Sequence, residues 1–222
     1  MSRSQYFVVR LRCWLRWREL RWERIRQLLR YGSRYNLPLD LLFAVLDILG
    51  VCDLYEALGN TLFSSVRPLT PAEIHMLRPI FGDSVPYALI RIDERAWVGP
   101  RFANFCYVGF HTINSWGPMS APTLVHEVVH VWQYTHRGAS YIPRALAAQR
   151  TQEGYDYGGI EELQHGGQLE DFNYEQQADI IEDAFRLANG FTPQWLRGRG
   201  AEVLPAFYRY LQELRASTCV EL

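Results

Sequence analysis

The sequence predicts an α+β protein, mostly helical, with a small and mainly antiparallel sheet. Three observations lead there. Several stretches repeat apolar residues at helical spacing and open at recognisable caps. Strand-like runs are short, confined to residues 87–116, and broken by Gly and Pro. Finally, 222 residues with 48% hydrophobic content and a formal charge of −1 suit one domain with a sizeable core rather than a disordered chain. The expected division is residues 66–222 as the domain and residues 1–65 as an N-terminal helical extension.

Residues 1–34 hold ten arginines and two glutamates, a local charge of +8 that leaves −9 for the remainder. No lysine occurs in the chain. Residues 6–31 read as an amphipathic helix with Leu11, Leu15, Trp22, Ile25 and Leu29 in one stripe, widened by Trp14 and Leu28 and ended by Gly32. Such a helix can meet an anionic membrane surface, nucleic acid or a docking partner, or pack on the acidic remainder of its own chain. Nucleic acid fits least, because no recognised binding motif accompanies the arginines.

After a break at Asn36-Leu37-Pro38, residues 39–58 read as one apolar helix ended by Gly59-Asn60, and residues 61–69 as a linker. Thr70-Pro71-Ala72-Glu73 is a capping box with proline in the first turn, opening a helix to Phe81 that Gly82 stops. Strands are expected at 87–92, 104–110 and 112–116. Pro143 opens a short helix to Arg150, and glycine-rich loops follow around Gly154–Gly159 and His165-Gly166-Gly167. A short helix is expected around Trp195 and a last one over 202–216, with Pro205 in its first turn.

The chemistry concentrates in Val125-His126-Glu127-Val128-Val129-His130 and in Glu175-Gln176-Gln177-Ala178-Asp179. On a helix, His126 and His130 lie one turn apart on one face and can share a metal ion. Glu127 is turned about 100° away, free to act as a base at the metal's open position. Leu124, Val125, Val128, Val129, Val131 and Trp132 make this helix apolar nearly all round, with Ser120 as N-cap and Gly138 as stop. A catalytic zinc site takes three protein ligands, and Glu175 is the expected third. Its helix starts at a box formed by Asn173 and Gln176 and runs to Asn189. Asp179, one turn on, is placed to accept the other ring N–H of His126.

H-E-x-x-H followed by E-x-x-x-D resembles the gluzincins, the thermolysin-like zinc metallopeptidases. It is more similar to the small peptidase-like domains associated with bacterial Rhs-type and contractile-injection secretion systems. Matching phrases are Arg67-Pro68-Leu69-Thr70-Pro71-Ala72-Glu73, Phe81-Gly82-Asp83-Ser84, His126 through Gln133, and Phe172 through Asp179. The resemblance spans about half the chain and implies a zincin-like fold. It implies His126, His130 and Glu175 as Zn2+ ligands, Glu127 as general base and Asp179 behind His126. It also implies that residues 111–116 form the free strand edge on which substrate backbone pairs. About 44 residues separate His130 from Glu175, longer than in thermolysin-like enzymes, so that family's transition-state donors do not transfer by position. Tyr155, Tyr157 and His165 are the candidate oxyanion donors.

The expected function is zinc-dependent hydrolysis of peptide bonds in a protein substrate, possible for a secreted bacterial effector or toxin. The alternative is a catalytically silent, zinc-stabilised adaptor of a secretion system that works through its basic helix. A fourth protein ligand, such as His136 or His165, would mark that alternative. Cys13, Cys52, Cys106 and Cys219 are widely spaced and expected as free thiols. Arginines interrupt the N-terminus, and the longest apolar run, residues 41–51, contains Asp47 and is too short for a bilayer. The expectation is a protein made in the cytoplasm and, if exported, exported without a cleaved signal.

Overall fold

The computed structural model describes residues 3–33, 35–62, 65–97, 100–103, 105–165, 167–196 and 198–217. Gly166 and Cys219, named above, lie outside them, as do residues 34 and 104 at the ends of ranges given above. The elements run α1 (Arg3–Tyr31), α2 (Leu37–Ile48), α3 (Val51–Leu62), β1 (Val66–Pro68), α4 (Pro71–Phe81), β2 (Arg91–Asp93), α5 (Pro100–Ala103), β3 (Tyr107–Gly109), β4 (Thr112–Asn114), α6 (Ala121–Arg137), α7 (Tyr141–Ala148), α8 (Gly159–His165), α9 (Tyr174–Ala188) and α10 (Tyr208–Ala216). Short 3-10 turns cover Leu169–Asp171 and Ala201–Phe207. This is the expected mostly helical α+β architecture.

The sheet is mixed, in the order β1-β2-β4-β3. β1 pairs with β2 and β3 with β4 antiparallel, while β2 and β4 are parallel with Ile92 opposite Ile113. Residues 66–68, expected as linker, are thus a strand. Ile92 and Ile113 lie in the main core with α6, which packs on the sheet and on α9, and with Leu77, Phe81, Val125, Val129, Ile180 and Ile181. Caps fix where these helices begin: Thr70 and Glu73 close a reciprocal box on α4, and Asn173 and Gln176 close one on α9.

Two features of the first 62 residues differ from expectation. The single helix over 39–58 is two helices, broken at Leu49-Gly50. Gly50 adopts φ +76°, and a Cβ there would meet the Trp14 indole at 2.7 Å, so only glycine lets α1 pass so closely. The second difference is which face of α1 is inside. Leu11, Leu15, Trp22 and Leu29 are exposed, and the buried stripe is Tyr6, Arg10, Cys13, Trp17, Arg21, Ile25 and Leu28. Two arginines sit inside because acids of α2 and α3 face them. Arg10 meets Asp53 at 2.6 Å and Glu56 at 2.8 Å, while Arg21 meets Asp53 at 2.7 Å and Asp47 at 3.2 Å.

This ionic layer reaches the sheet and α6. Glu56 accepts hydrogen bonds from the His111 backbone N–H (2.6 Å) and the Thr112 hydroxyl (3.0 Å), and Arg10 donates to His111 Nδ1 at 2.7 Å. Arg24 donates to the Thr135 carbonyl of α6 at 2.8 Å. Residues on both sides of the expected boundary near residue 65 therefore share buried charges. Cys13, Cys52 and Cys106 are free thiols.

Expected elements near the C-terminus also shift. Gly159 and His165, expected in loops, are instead the two ends of α8, and the described residues around Trp195 form bends rather than a helix. The helix over 202–216 is a 3-10 turn carrying Pro205, followed by α10. Proline lacks the N–H that an α-helix interior needs, which favours the tighter turn there.

Candidate metal centre

α6 and α9 pack side by side, and their facing turns bring together the residues singled out in the sequence. Ser120 caps α6 by accepting the Thr123 N–H at 3.3 Å, and Pro122 occupies its first turn. The buried helix then presents His126 and His130 one turn apart, with ring centroids 5.0 Å apart. Asn173 caps α9 by accepting the Glu175 and Gln176 N–H groups at 2.9 Å, which places Glu175 in the first turn, opposite the two imidazoles.

The ligand atoms converge. Nε2 of His126 and Nε2 of His130 each lie 3.4 Å from Oε2 of Glu175. All three residues are buried, and they are positioned to hold a metal ion. Two observations fit a cation at this point. Oε2 of Glu175 and Oε2 of Glu127 are buried without a hydrogen bond, which is costly for a carboxylate unless a cation or proton answers it. In addition, both imidazoles are oriented from behind. His126 Nδ1 donates to Asp179 Oδ1 at 2.8 Å, with Glu182 Oε2 at 3.2 Å. His130 Nδ1 donates to Gln133 Oε1 at 2.8 Å. Protons on both Nδ1 atoms leave both Nε2 lone pairs aimed at one point, which is the tautomer a metal requires.

The supporting groups are themselves held. Asp179 Oδ2 accepts the Trp195 indole N–H, and Glu182 pairs with Arg186 at 2.7 Å. Gln133 Nε2 donates to the Tyr174 carbonyl at 2.9 Å and to Gln177 at 3.1 Å, and Gln149 donates to Glu175 Oε1 at 2.9 Å. Gln133 and Glu182 follow the helical spacing from His130 and Asp179 and were open to sequence reasoning. Gln149 and Trp195 come from other segments and carried no local signal.

Electrostatics follow from this arrangement. Burial disfavours a charged His126, but the nearby carboxylates of Asp179, Glu175 and Glu182 outweigh it and raise its pKa. His130 is raised against its burial by Glu175. Burial works to raise Glu175, but the two imidazoles hold it well below the usual carboxylate range. Glu127 is pushed up, by burial first.

The metal site opens on a cleft of about 380 Å³, walled by Phe105, Tyr107 and Val108 on one side and Tyr141, Ile142, Leu146 and Gln149 on the other, with Glu127 and Tyr155 at its base and rim. A larger cavity of about 830 Å³ lies between α1 and the end of α6. Its Arg21 and Arg144 are already paired with acids and it contains none of the metal-site residues, so the chemistry belongs to the smaller cleft.

Residues 111–116 are not the free edge the resemblance implied. β4 lies between β2 and β3, so its backbone groups are already paired on both sides. The edge strand beside the cleft is β3. Of the three donor candidates, Tyr155 lines the cleft with its ring centroid 6.1 Å from that of His126. Burial pushes its hydroxyl up to about 12. Tyr157 and His165 are elsewhere. Tyr157 is buried and donates to Asp183 at 2.8 Å, because Asp183 gathers the chain around Gln194 and Trp195. His165 is exposed at the end of α8, bonded to the Glu161 carbonyl. His136 donates to the Ser84 carbonyl at 2.7 Å. Among the described residues neither histidine supplies a fourth ligand.

Over 168 residues the chain is 30% identical to the type VI secretion system spike protein VgrG2b of Pseudomonas aeruginosa. The match covers 68% of this chain and 16% of that protein, so the chain spans about a sixth of its relative's length. The similarity links the chain to a protein of a secretion system. No family profile and no solved structure matches it.

Proposed function

We propose that the chain is a zinc-dependent endopeptidase that acts as a secreted bacterial effector or toxin. One observation supports this reading above others: two imidazole nitrogens and one carboxylate oxygen converge at the base of a cleft, with the Glu127 carboxylate beside them and no fourth described ligand. Two imidazoles and one carboxylate are a donor set that zinc enzymes use, with the remaining position left for water. Zinc bound there supplies Lewis acidity and lowers the pKa of water at that position.

The chain's own residues do the rest in this proposal. Glu127 takes the proton of the attacking water and delivers it to the leaving amine. Its burial favours this cycle, since desolvation raises the carboxyl and makes it a better acceptor of the water's proton. Tyr155, at the cleft rim, is the residue of choice for donating to the developing oxyanion. The free edge of β3 holds substrate backbone by strand addition, and the apolar walls receive its side chains. Similarity to a spike protein supports delivery through a secretion apparatus rather than by a cleaved signal. The silent-adaptor alternative needs a closed, four-ligand site, and His136 and His165 are engaged elsewhere.

The test is cleavage of a diverse peptide library by purified protein and by Glu127→Gln, read by mass spectrometry, with metal content measured on both. Cuts made by the wild type alone, with zinc at one per chain in both proteins, are the expected result. Zinc in both and cuts from neither would favour the adaptor. Cuts from both would remove Glu127 from the mechanism.

A further inference from the structure

The helices α2 and α3 turn their charges inward and their leucines outward. The acids of α2 and α3, Asp40, Asp47, Asp53 and Glu56, are all buried. What these two helices expose is uncharged, and Val45, Leu49, Leu54 and Leu58 are each more than 40% accessible. The apolar surface continues onto α1 through Phe7, Leu11 and Leu15, with a shallow groove between the helices at Trp14 and Gly50. Beside it α1 exposes Arg12, Arg16, Arg18, Arg26 and Arg30 against Glu19 and Glu23, the latter 3.5 Å from Arg26. A contiguous apolar surface of this extent on a folded chain marks a place where something else binds.

We propose that α1–α3 form a docking face for an anionic lipid bilayer surface. The charge pattern selects this occupant. Leucine, phenylalanine and tryptophan beside an arginine rim, on helices lying side by side, match the requirements of an interfacial site: apolar groups enter the acyl boundary while guanidinium groups stay at the lipid phosphates. A second copy of the chain fits poorly. A two-fold contact would set this patch on itself, bringing arginines against arginines with no exposed acid on α2 or α3 to answer them. None of the described helices is long and apolar enough to cross a membrane, so contact is in the plane of the surface. The face also reaches the chain at the end of β3. Tyr55 of α3 meets Phe110, the residue after the edge strand β3, with ring centroids 5.9 Å apart.

The test is co-sedimentation of the full chain with vesicles of phosphatidylcholine alone and of phosphatidylcholine with phosphatidylglycerol. Retention on the anionic vesicles, weakened by salt, is expected, with at least about tenfold less on the neutral ones. Leu49→Glu/Leu54→Glu/Leu58→Glu should lower retention about tenfold or more with every arginine intact. Arg12→Gln/Arg16→Gln should lower it about fivefold per arginine. All these positions are exposed, and an unchanged thermal midpoint would verify folding in each variant. Glu127→Gln should bind as the wild type does, which separates this inference from the proposed activity. Failure of wild type to bind anionic vesicles would overturn the proposal, as would full retention of the triple leucine variant. A concentration-dependent dimer abolished by the leucine changes, without vesicle binding, would assign the face to a second copy instead.

Discussion

His126 Nδ1 lies 2.8 Å from Asp179 Oδ1, and the opposite nitrogen of the same ring lies 3.4 Å from Glu175 Oε2. The ring is thus clamped between a group that fixes its tautomer and the point where a metal ion would bind. Glu182, 3.2 Å from the same Nδ1, is a second acceptor. Asp179→Asn should therefore weaken metal binding about 10–100-fold, and Asp179→Asn/Glu182→Gln should weaken it further. Competition with a chromogenic chelator measures both. Equal affinity in wild type and double variant would mean that the clamp is only structural.

Glu175→Ala removes the only carboxylate among the three converging ligands. The purified variant should contain far less than one metal ion per chain, measured by plasma mass spectrometry. Full occupancy would show that the third ligand had been misassigned.

Glu127 touches the cleft but is not among the converging ligands. Glu127→Gln should keep the metal and the fold while losing about 10²–10⁴-fold in turnover. A fall in metal content matching the fall in activity would instead make it a ligand.

Arg10 is the centre of the buried ionic layer, with Asp53, Glu56 and His111 around it. Arg10→Ala leaves the buried Glu56 carboxylate without its arginine and Asp53 with Arg21 alone, and should cost about 3–5 kcal/mol in urea denaturation. Arg12→Gln, at an exposed position of the same helix, should stay within about 0.5 kcal/mol of wild type. Similar losses at both positions would remove the special role of the layer.

The same layer sets a pH dependence. Burial, with the Arg10 charge, holds His111 below its ordinary 6.5. Glu56 is held below 4.5 against its own burial by Arg10 and by hydrogen bonds with His111. Both groups bind protons less readily in the folded chain than in the unfolded one, so the stability they contribute rises with pH. Their contribution should fall as the pH drops below 6.5, and fall again below 4.5, opposite in sign to that of metal-free His126 and His130. His111→Asn should flatten the first limb, read as the slope of unfolding free energy between about pH 7 and pH 5. An unchanged slope would exclude His111 as its source.

The sequence by itself determined the elements whose causes are local. The helix repeat alone puts His126 and His130 on one face, and Asp179 one turn beyond Glu175 on another. The boxes at Thr70 and Asn173 and the glycines at 82 and 138 set helix ends through backbone groups a few residues away. Tertiary structure decided whatever depended on partners distant in the chain. Which face of α1 turns inward could not be read from its leucines, because Asp53 and Glu56, more than thirty residues on, draw Arg10 and Arg21 into the interior. The free edge beside the cleft could not be taken from the resemblance at 111–116, because only the pairing order shows β4 to be central and β3 to be at the edge. Tyr155 reached the cleft and Tyr157 did not, because Asp183, one turn on from Asp179, accepts the second hydroxyl. Local spacing fixes which side chains share a face, and only the packing of one element on another fixes what that face meets.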